Sequence, residues 1–478
     1  MDELIQEEDA CALIAIFDRC HDLSMAFTNR YAPQNWSVVC PVASCPDCAE
    51  VPVVMPSLRS TVVPEGGDVD RDPTAGARRT SAENFVRANR WAIGFASIVG
   101  NPVAVEDAAE VSLVNAPIRT STQPEDCEVS GGKGLSLSQA LASFLGEAFE
   151  RWMLAASRRI SGVVGSFNML PNAIDVTREF GFPARDEDPS IDTYDPGILL
   201  EWLPAEELTS GSEVDFPSNL VFCPYLPAAT AHAISFGSTN GASAGGSVVD
   251  ATEQALLELV EWDAFWFYAR TGHPASKVAF PDLPADVAAM MAQIDGQFYV
   301  HLLPNPFSVA VASVTVHAGS TFHARSARGT GASGNATDAI RRAFVECIQM
   351  LYSLNTGVGV EDVSSDMRGL WYTGRAFDVF HNLFDLPAHD DPSWVPLEVQ
   401  GSLATHILES ARAQLMRVFR VVILDDSERA VVKCAMTGVS VSDSTYFRSG
   451  VRLETFASEM NLRTIRRHDI QYSGSLFM

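Results

Sequence analysis

The sequence is short of positive charge. Only 33 Lys and Arg stand against 60 Asp and Glu in 478 residues, a formal net charge of −27. Such a chain repels phosphates on average, which argues against a nucleic-acid coat protein; solubility explains the acidity, with a basic partner as the alternative. No apolar run reaches the roughly 18 residues that a membrane helix needs. The start, Met1-Asp2-Glu3-Leu4, lacks the basic residues of a secretory signal. Cysteines number nine, an odd count in a chain this long, which is no disulfide framework. These absences lead to the expectation of a cytoplasmic protein with neither a membrane nor a nucleic-acid partner. No G-x-x-x-x-G-K-[ST] is present, and Lys133 sits in Gly-Lys-Gly at the wrong spacing for a P-loop.

What is present suffices for a large core: 47% of residues are hydrophobic, enough for one big domain or two. The pattern predicts a helix over residues 1–30, from Leu4 through Ile14, Phe17 and Leu23. Cys40, Cys45 and Cys48 then give C-x4-C-x2-C, with Cys20-His21 upstream. Three cysteines and a fourth ligand could hold a structural Zn2+; free buried thiols and a segment without fixed structure are the competing readings. Residues 56–82, rich in Pro, Gly, Asp, Arg, Ser and Thr, read as a linker or long surface loop. The expected boundary falls near residue 85, dividing an N-terminal extension (1–85) from the main domain (86–478). Strands are expected at Leu220–Leu226, Phe298–Leu303, Ser308–His317, Val418–Leu424 and Ala430–Met436. Their irregular interleaving with helical patterns favours an α+β fold over a doubly wound parallel sheet.

Three segments share one grammar, itself evidence of an internal repeat. Ser130-Gly-Gly-Lys133-Gly runs into a helix carrying Ser143, Glu147, Glu150 and Arg151. Asn240-Gly-Ala-Ser-Ala-Gly-Gly246 runs into one carrying Asp250, Gln254, Glu258 and Glu261. Arg328-Gly-Thr-Gly-Ala-Ser-Gly334 runs into one carrying Asp338, Arg342, Glu346 and Gln349. Spacings of four and three stack each set on one helix face. The first helix alone reads as an ordinary amphipathic helix with a solvated acidic face. The second does not. Leu256, Leu257, Leu259, Val260, Trp262, Phe265, Trp266 and Phe267 surround its acids nearly all round, so it is expected to be buried. Buried carboxylates cost several kcal/mol unless paired or bound to metal, and the helix itself carries too few basic residues to pair with them.

Carboxylates facing each other from two helices suit Mg2+, a hard cation that keeps its bond to phosphate. Glycine-rich loops before the helices would leave N–H groups free at helix N-termini, where anions bind. Arg151 and Arg342 could clamp phosphate oxygens. A di-iron or di-manganese carboxylate bundle is the competing reading; it uses Glu-x-x-His pairs, and no His follows these glutamates at that spacing. His232, His317 and His323 read as core or surface histidines. Arg448 reads equally as a nucleotide contact or as part of a surface loop.

Ser143-x-x-x-Glu147-x-x-Glu150-Arg151 behind Gly132-Lys133-Gly134 resembles the first nucleotide motif of the YcaO family. Asn240-Gly241 leading to Gln254, Glu258, Glu261 and Asp263 resembles its second, and Ala339-Ile-Arg-Arg342-Ala-Phe-Val-Glu346-x-x-Gln349 its third. Val431-Val-Lys433-Cys-Ala-Met-Thr-Gly438 is similar to its late strand and glycine turn. The likeness covers roughly residues 90–455. It implies a YcaO-like fold and ATP- and Mg2+-dependent activation of backbone amides in a ribosomally made precursor peptide. A Cys, Ser or Thr side chain then gives azolines, precursors of thiazole and oxazole; sulfide gives a thioamide and an amine an amidine. The implied catalytic and metal residues are Glu147, Glu150, Glu258 and Glu261. The implied nucleotide residues are Lys133, Ser143, Arg151, Asn240, Asp250, Gln254, Arg342, Glu346 and Gln349. The implied partners are the precursor peptide and a peptide-clamp or ubiquitin-activating-like protein; oligomeric state, a homo-oligomer included, is left open. The sequence departs from the family pattern at Trp262, where an Arg is common, and at Asp250, where a Glu is common. Azoline-forming members often end in a Pro-rich tail, whereas this chain ends Ser473-Gly-Ser-Leu-Phe-Met478. Thioamide or amidine formation, and a non-catalytic docking subunit, therefore stay open beside azoline formation.

Overall fold

The computed structural model describes residues 81–439 apart from 90–91, 93–102, 106–108, 120–126, 156–161, 181–193, 228–229, 236, 272–274, 320–325, 356–372, 374–397 and 427–428. The helix expected over 1–30, the Cys40, Cys45 and Cys48 cluster, most of the linker, His323 and Arg448 lie outside the described residues. The zinc expectation therefore has no support in the structure.

In chain order the elements are α1 (Ala82–Asn89), β1 (Val103–Val105), β2 (Ser112–Arg119), β3 (Cys127–Gly134), α2 (Leu137–Ala155), β4 (Val163–Gly165), α3 (Val176–Phe180), β5 (Leu200–Glu207) and β6 (Ser212–Pro217). There follow β7 (Ala242–Gly245), α4 (Val248–Thr271), β8 (Ser276–Lys277), α5 (Ala285–Met291), β9 (Gly296–Leu302), β10 (Ala310–Ala318), β11 (Ser326–Ser333), α6 (Ala336–Asn355), α7 (Leu403–Ala413), β12 (Val418–Asp425) and β13 (Ala430–Met436). They build three sheets with strand orders β1-β2-β3, β11-β10-β9-β8 and β4-β5-β12-β13-β7, the last with β6 on β5. All named strand pairs are antiparallel, so the fold is α+β, as expected. The expected boundary near residue 85 falls inside α1, which packs on α2. No helix among the described residues is long and apolar enough to cross a membrane.

The glycine-rich approaches are strands, not loops. Pairing partners distant in sequence decide this: β3 pairs with β2, β7 with β13 and β11 with β10. The glycines let each following helix lie directly on its own strand. A Cβ at Gly331 would stand 2.7 Å from the Ala339 carbonyl oxygen and 2.7 Å from the Ala343 nitrogen, and one at Gly132 would strike the backbone of Ala140 and Phe144. Each helix then starts with the same cap. Ser136, Ser247 and Asn335 accept from the N–H groups of Gln139, Asp250 and Asp338, three residues on, at 3.2, 3.2 and 2.9 Å. The repeat read in the sequence is a strand–cap–helix unit used three times. β3, β7 and β11 are each an edge strand of their sheet, so the glycine-rich approaches are edge strands that lead into capped helices.

Two apolar clusters flank the repeats. One joins most of α4 with β10, β11, α6 and α7; the other joins α2 with β2, β5, β12 and the start of β7. Within 248–268 only Val249, Glu258, Glu261 and Trp262 escape full burial, so α4 is buried nearly all round, as its composition demands. The expected strands at 298–303, 308–317, 418–424 and 430–436 are present as β9, β10, β12 and β13. Leu220–Leu226 is not a strand: a turn of 3-10 helix ends at Leu220 and irregular chain follows. Pro224 inside that run lacks the N–H a ladder needs.

Candidate functional site

The three helix stripes converge. A cavity of about 700 Å3 is lined by Lys133, Ser143, Glu147, Glu150, Arg151, Asn240, Asp250, Gln254, Glu258, Glu261, Arg342, Glu346 and Gln349, the residues named from the three helix stripes and their approaches. Its volume suits a small-molecule ligand. Ala82 and Phe85 of α1, and Thr239, Trp262, Thr330 and Arg341, complete parts of the wall. His232 and His317 do not line it.

Two electrostatic centres occupy the wall. In the first, Glu150 of α2 and Glu258 of α4 share the field of Lys433, which stands on β13. Burial, then Glu258 and Glu147, push the Glu150 carboxyl well above its ordinary range, against Lys433 and Arg151. Burial pushes Glu258 up to about 7; Lys433 opposes the rise and Glu261 adds to it. Glu258 accepts from the Gly241 N–H and the Trp262 indole N–H, each at 3.2 Å. Glu147 pairs with Arg151 at 2.8 Å.

In the second centre, Glu261 of α4 faces Glu346 of α6. Burial and then Glu346 raise the Glu261 pKa, while Arg342, a hydrogen bond from Thr330 and Lys133 pull it down. Thr330 Oγ1 donates to Glu261 at 2.6 Å, and Lys133 Nζ to Glu346 at 2.8 Å. Arg342 donates to the Ala332 carbonyl at 2.9 Å and to Gln254 Oε1 at 3.0 Å. Arg328 lies 4.2 Å over the Phe265 ring; burial drops its pKa to about 10 against the pull of Glu346 and Glu261.

The basic residues that meet the acids of α4 are not on that helix, as its composition requires. They come from other elements, Lys433 from β13, Lys133 from β3, Arg328 from β11 and Arg342 from α6. Lys433, Arg328 and Thr330 had no assigned role in the sequence reading. A lone lysine in the apolar run Val431-Val-Lys433-Cys-Ala-Met436 was the available signal. It was a weak one, since a strand-borne side chain shows its partners only once the sheet is assembled.

The family model described as YcaO cyclodehydratase, ATP- and Mg2+-binding, matches residues 131–438. The chain belongs to the YcaO family. It is 32% identical over 184 residues to an uncharacterized protein of Methanothermobacter thermautotrophicus, an alignment covering 35% of this chain and 43% of that protein. Its fold is similar to that of a heterocyclase solved in complex with substrate and cofactor, at a TM-score of 0.71 and 20% identity, covering 85% of this chain and 58% of that one. It is also similar to YcaO from Methanopyrus kandleri, solved with AMPPCP and Mg2+, at a TM-score of 0.55 and 22% identity, covering 77% and 94%. The chain thus spans less than two thirds of the length of the first two.

The residues on the wall fit the ligands that the YcaO family model names. Six carboxylates (Glu147, Glu150, Asp250, Glu258, Glu261, Glu346) and four cationic side chains (Lys133, Arg151, Arg341, Arg342) line the cavity. Burial holds Glu150, Glu258 and Glu261 above the ordinary carboxylate range, and divalent cations entering with a polyphosphate would offset the charge that the acids and the phosphates share. Among the described residues no three His, Cys, Asp or Glu side chains converge on one metal position. Mg2+ takes one or two carboxylates, with waters and phosphate completing its shell.

Proposed function

We propose that this YcaO-family chain uses ATP and Mg2+ to activate backbone amides of a ribosomally synthesised precursor peptide and closes azoline rings on them. The observation that carries the reading is one cavity in which paired carboxylates from α2 and α4 lie beside the Arg342 and Glu346 stripe of α6. Glu147 with Glu150, and Glu258 with Glu261, would hold the magnesium ions. Lys133, Arg151 and Arg342 would meet phosphate oxygens, and Ser143, Asn240, Asp250, Gln254 and Gln349 would orient the nucleotide.

Bound ATP would supply the phosphoryl group, with ADP as the leaving group: the amide oxygen would take it, a Cys, Ser or Thr side chain would add to the amide carbon and give up its proton, and the oxygen would leave as phosphate while the amide nitrogen loses its proton, which leaves the C=N bond of the ring. Little covalent chemistry then falls to the protein. Its carboxylates fix the cations, its cationic groups offset charge, and the wall aligns the reactants. The peptide itself, and a clamp or ubiquitin-activating-like protein that presents it, would be the partners.

The test incubates the chain with ATP, Mg2+, a candidate precursor peptide and its presenting partner, and follows phosphate release and peptide mass. Loss of one water per modified residue is expected. A sulfur-for-oxygen mass gain would redirect the reading to a thioamide, and absence of ATP turnover to a docking subunit. Glu147→Gln and Glu258→Gln should each lower turnover by roughly a hundredfold. Unchanged nucleotide binding and turnover in both would remove the site assignment.

A further inference from the structure

The α2 and α4 repeats differ at one informative position. α2 reads Glu147-x-x-Glu150-Arg151 and α4 reads Glu258-x-x-Glu261-Trp262. In each, the side chain four residues after the first glutamate turns back and donates to it: Arg151 to Glu147 Oε1 at 2.8 Å, Trp262 Nε1 to Glu258 Oε1 at 3.2 Å. An indole reproduces that hydrogen bond but not the charge.

The charge arrives from behind the wall. Lys433 is 4% exposed and is not among the residues that line the cavity. Its ammonium donates to the carbonyl oxygens of Ser238 and of Asn240, the latter at 2.6 Å. These bonds fasten the turn that enters β7. In that turn Gly241 has φ +79°, and a Cβ there would lie 2.5 Å from the Cys434 carbonyl and 2.8 Å from Leu259. The Gly241 N–H donates to Glu258 Oε2 at 3.2 Å, and its carbonyl accepts from the Cys434 N–H at 2.7 Å. Glu258 is thus held on one oxygen by Trp262 and on the other by a turn that Lys433 fastens. A buried ammonium also needs a counter-charge, and the neighbouring acids Glu258 and Glu150 provide it.

We propose that Trp262 and Lys433 divide between them, at Glu258, the work that Arg151 does at Glu147, Trp262 fixing the Glu258 rotamer and Lys433 supplying charge and locking the turn, so that Glu258 is preset for a nucleotide-bound divalent cation. Lys433 is a positioning residue on this account. The proposal rests on the nucleotide reading of the cavity.

Calorimetric titration with AMPPCP and Mg2+ tests it on wild type, Lys433→Met, Trp262→Phe and the double variant Lys433→Met/Trp262→Arg, with near-ultraviolet circular dichroism and melting curves run on each. Lys433→Met should weaken analogue binding at least about tenfold. Adding Trp262→Arg should restore part of the loss, because one arginine can then give Glu258 both the hydrogen bond and the charge, while the lock on the turn stays lost. A residue that merely stabilises the fold would lower the melting temperature without that second-site recovery. Binding by Lys433→Met at wild-type strength, or a folded double variant without recovery, would overturn the proposal. Should Lys433→Met not fold, Trp262→Phe decides: weakening by about threefold or more supports the proposal, and wild-type affinity overturns it. Failure of wild type to bind the analogue would instead sink the nucleotide reading itself.

Discussion

Gly331 and Gly146 belong to the same repeat pattern yet do opposite things. A Cβ on Gly331 would stand 2.6 Å from the Arg342 Cβ and 2.7 Å from two backbone atoms of α6, whereas one on Gly146 meets nothing within 4 Å. Gly331→Ala must push α6 off β11 and carry Arg342 and Glu346 with it. It should cost about 1–3 kcal/mol and weaken binding of AMPPCP with Mg2+. Gly146 lies inside α2 with open space beside it, so Gly146→Ala should stabilise the fold by about 0.5–1 kcal/mol, because alanine loses less backbone freedom in a helix. Urea melts of the two variants check the opposite signs; equal destabilisation would remove the packing argument. The residue scale is also where the sequence was least legible. Glu147, Glu258 and Glu346 could be found because helical spacing puts each on a stripe. Lys433 gives only a weak signal and Arg328 none, because the groups that give them meaning, Asn240 and Phe265, are remote in the chain and meet them only across assembled elements.

Elements were legible where one period ran long enough. α2, α4 and α6 each carry several turns of 3.6-residue pattern, and the near-complete burial of α4 followed from its apolar surround. The glycine-rich segments were misread as loops because glycine marks both turns and close helix–strand contact, and only the pairing of β3, β7 and β11 separates the two. Contacts that tie short elements down were invisible for the same reason. Arg417, just before β12, donates to Glu179 of α3 at 2.6 Å and to Glu207 of β5 at 2.7 Å while lying 4.8 Å over the Phe419 ring. Burial works upward on the Glu207 carboxyl, but the hydrogen bonds from Arg417 and Thr209 prevail and hold it below the usual carboxylate range. A carboxyl depressed on folding adds stability above its unfolded pKa and loses it as pH falls through the folded one. Arg417→Met should therefore cost about 1–2 kcal/mol near pH 7, a partly exposed pair being screened, and the difference from wild type should shrink below about pH 4. Urea melts at both pH values measure it. A penalty that stays constant with pH would assign the effect to lost packing on Phe419.

At the scale of the whole molecule, a net charge of −27 surrounds a cavity that itself carries more acids than bases. The cavity wall is built from α2 on one apolar cluster and α4 and α6 on the other, so repulsion among the carboxylates works against closing those helices on each other. Magnesium alone would relieve that repulsion without bridging all three helices, and nucleotide alone would add charge of the repelled sign. The two ligands should consequently stabilise the fold synergistically. With both present at about one hundred times the apparent dissociation constant, binding to the native state adds roughly 2.7 kcal/mol, and hydrogen-exchange protection should rise in α2, α4 and α6 together. AMPPCP with a chelator should give little or none of this, and Mg2+ alone only a fraction. Melting curves and hydrogen exchange in the four ligand combinations measure the coupling. Full stabilisation by the nucleotide analogue in the presence of the chelator would mean that the cationic side chains suffice for phosphate, and that the paired glutamates serve some purpose other than holding magnesium.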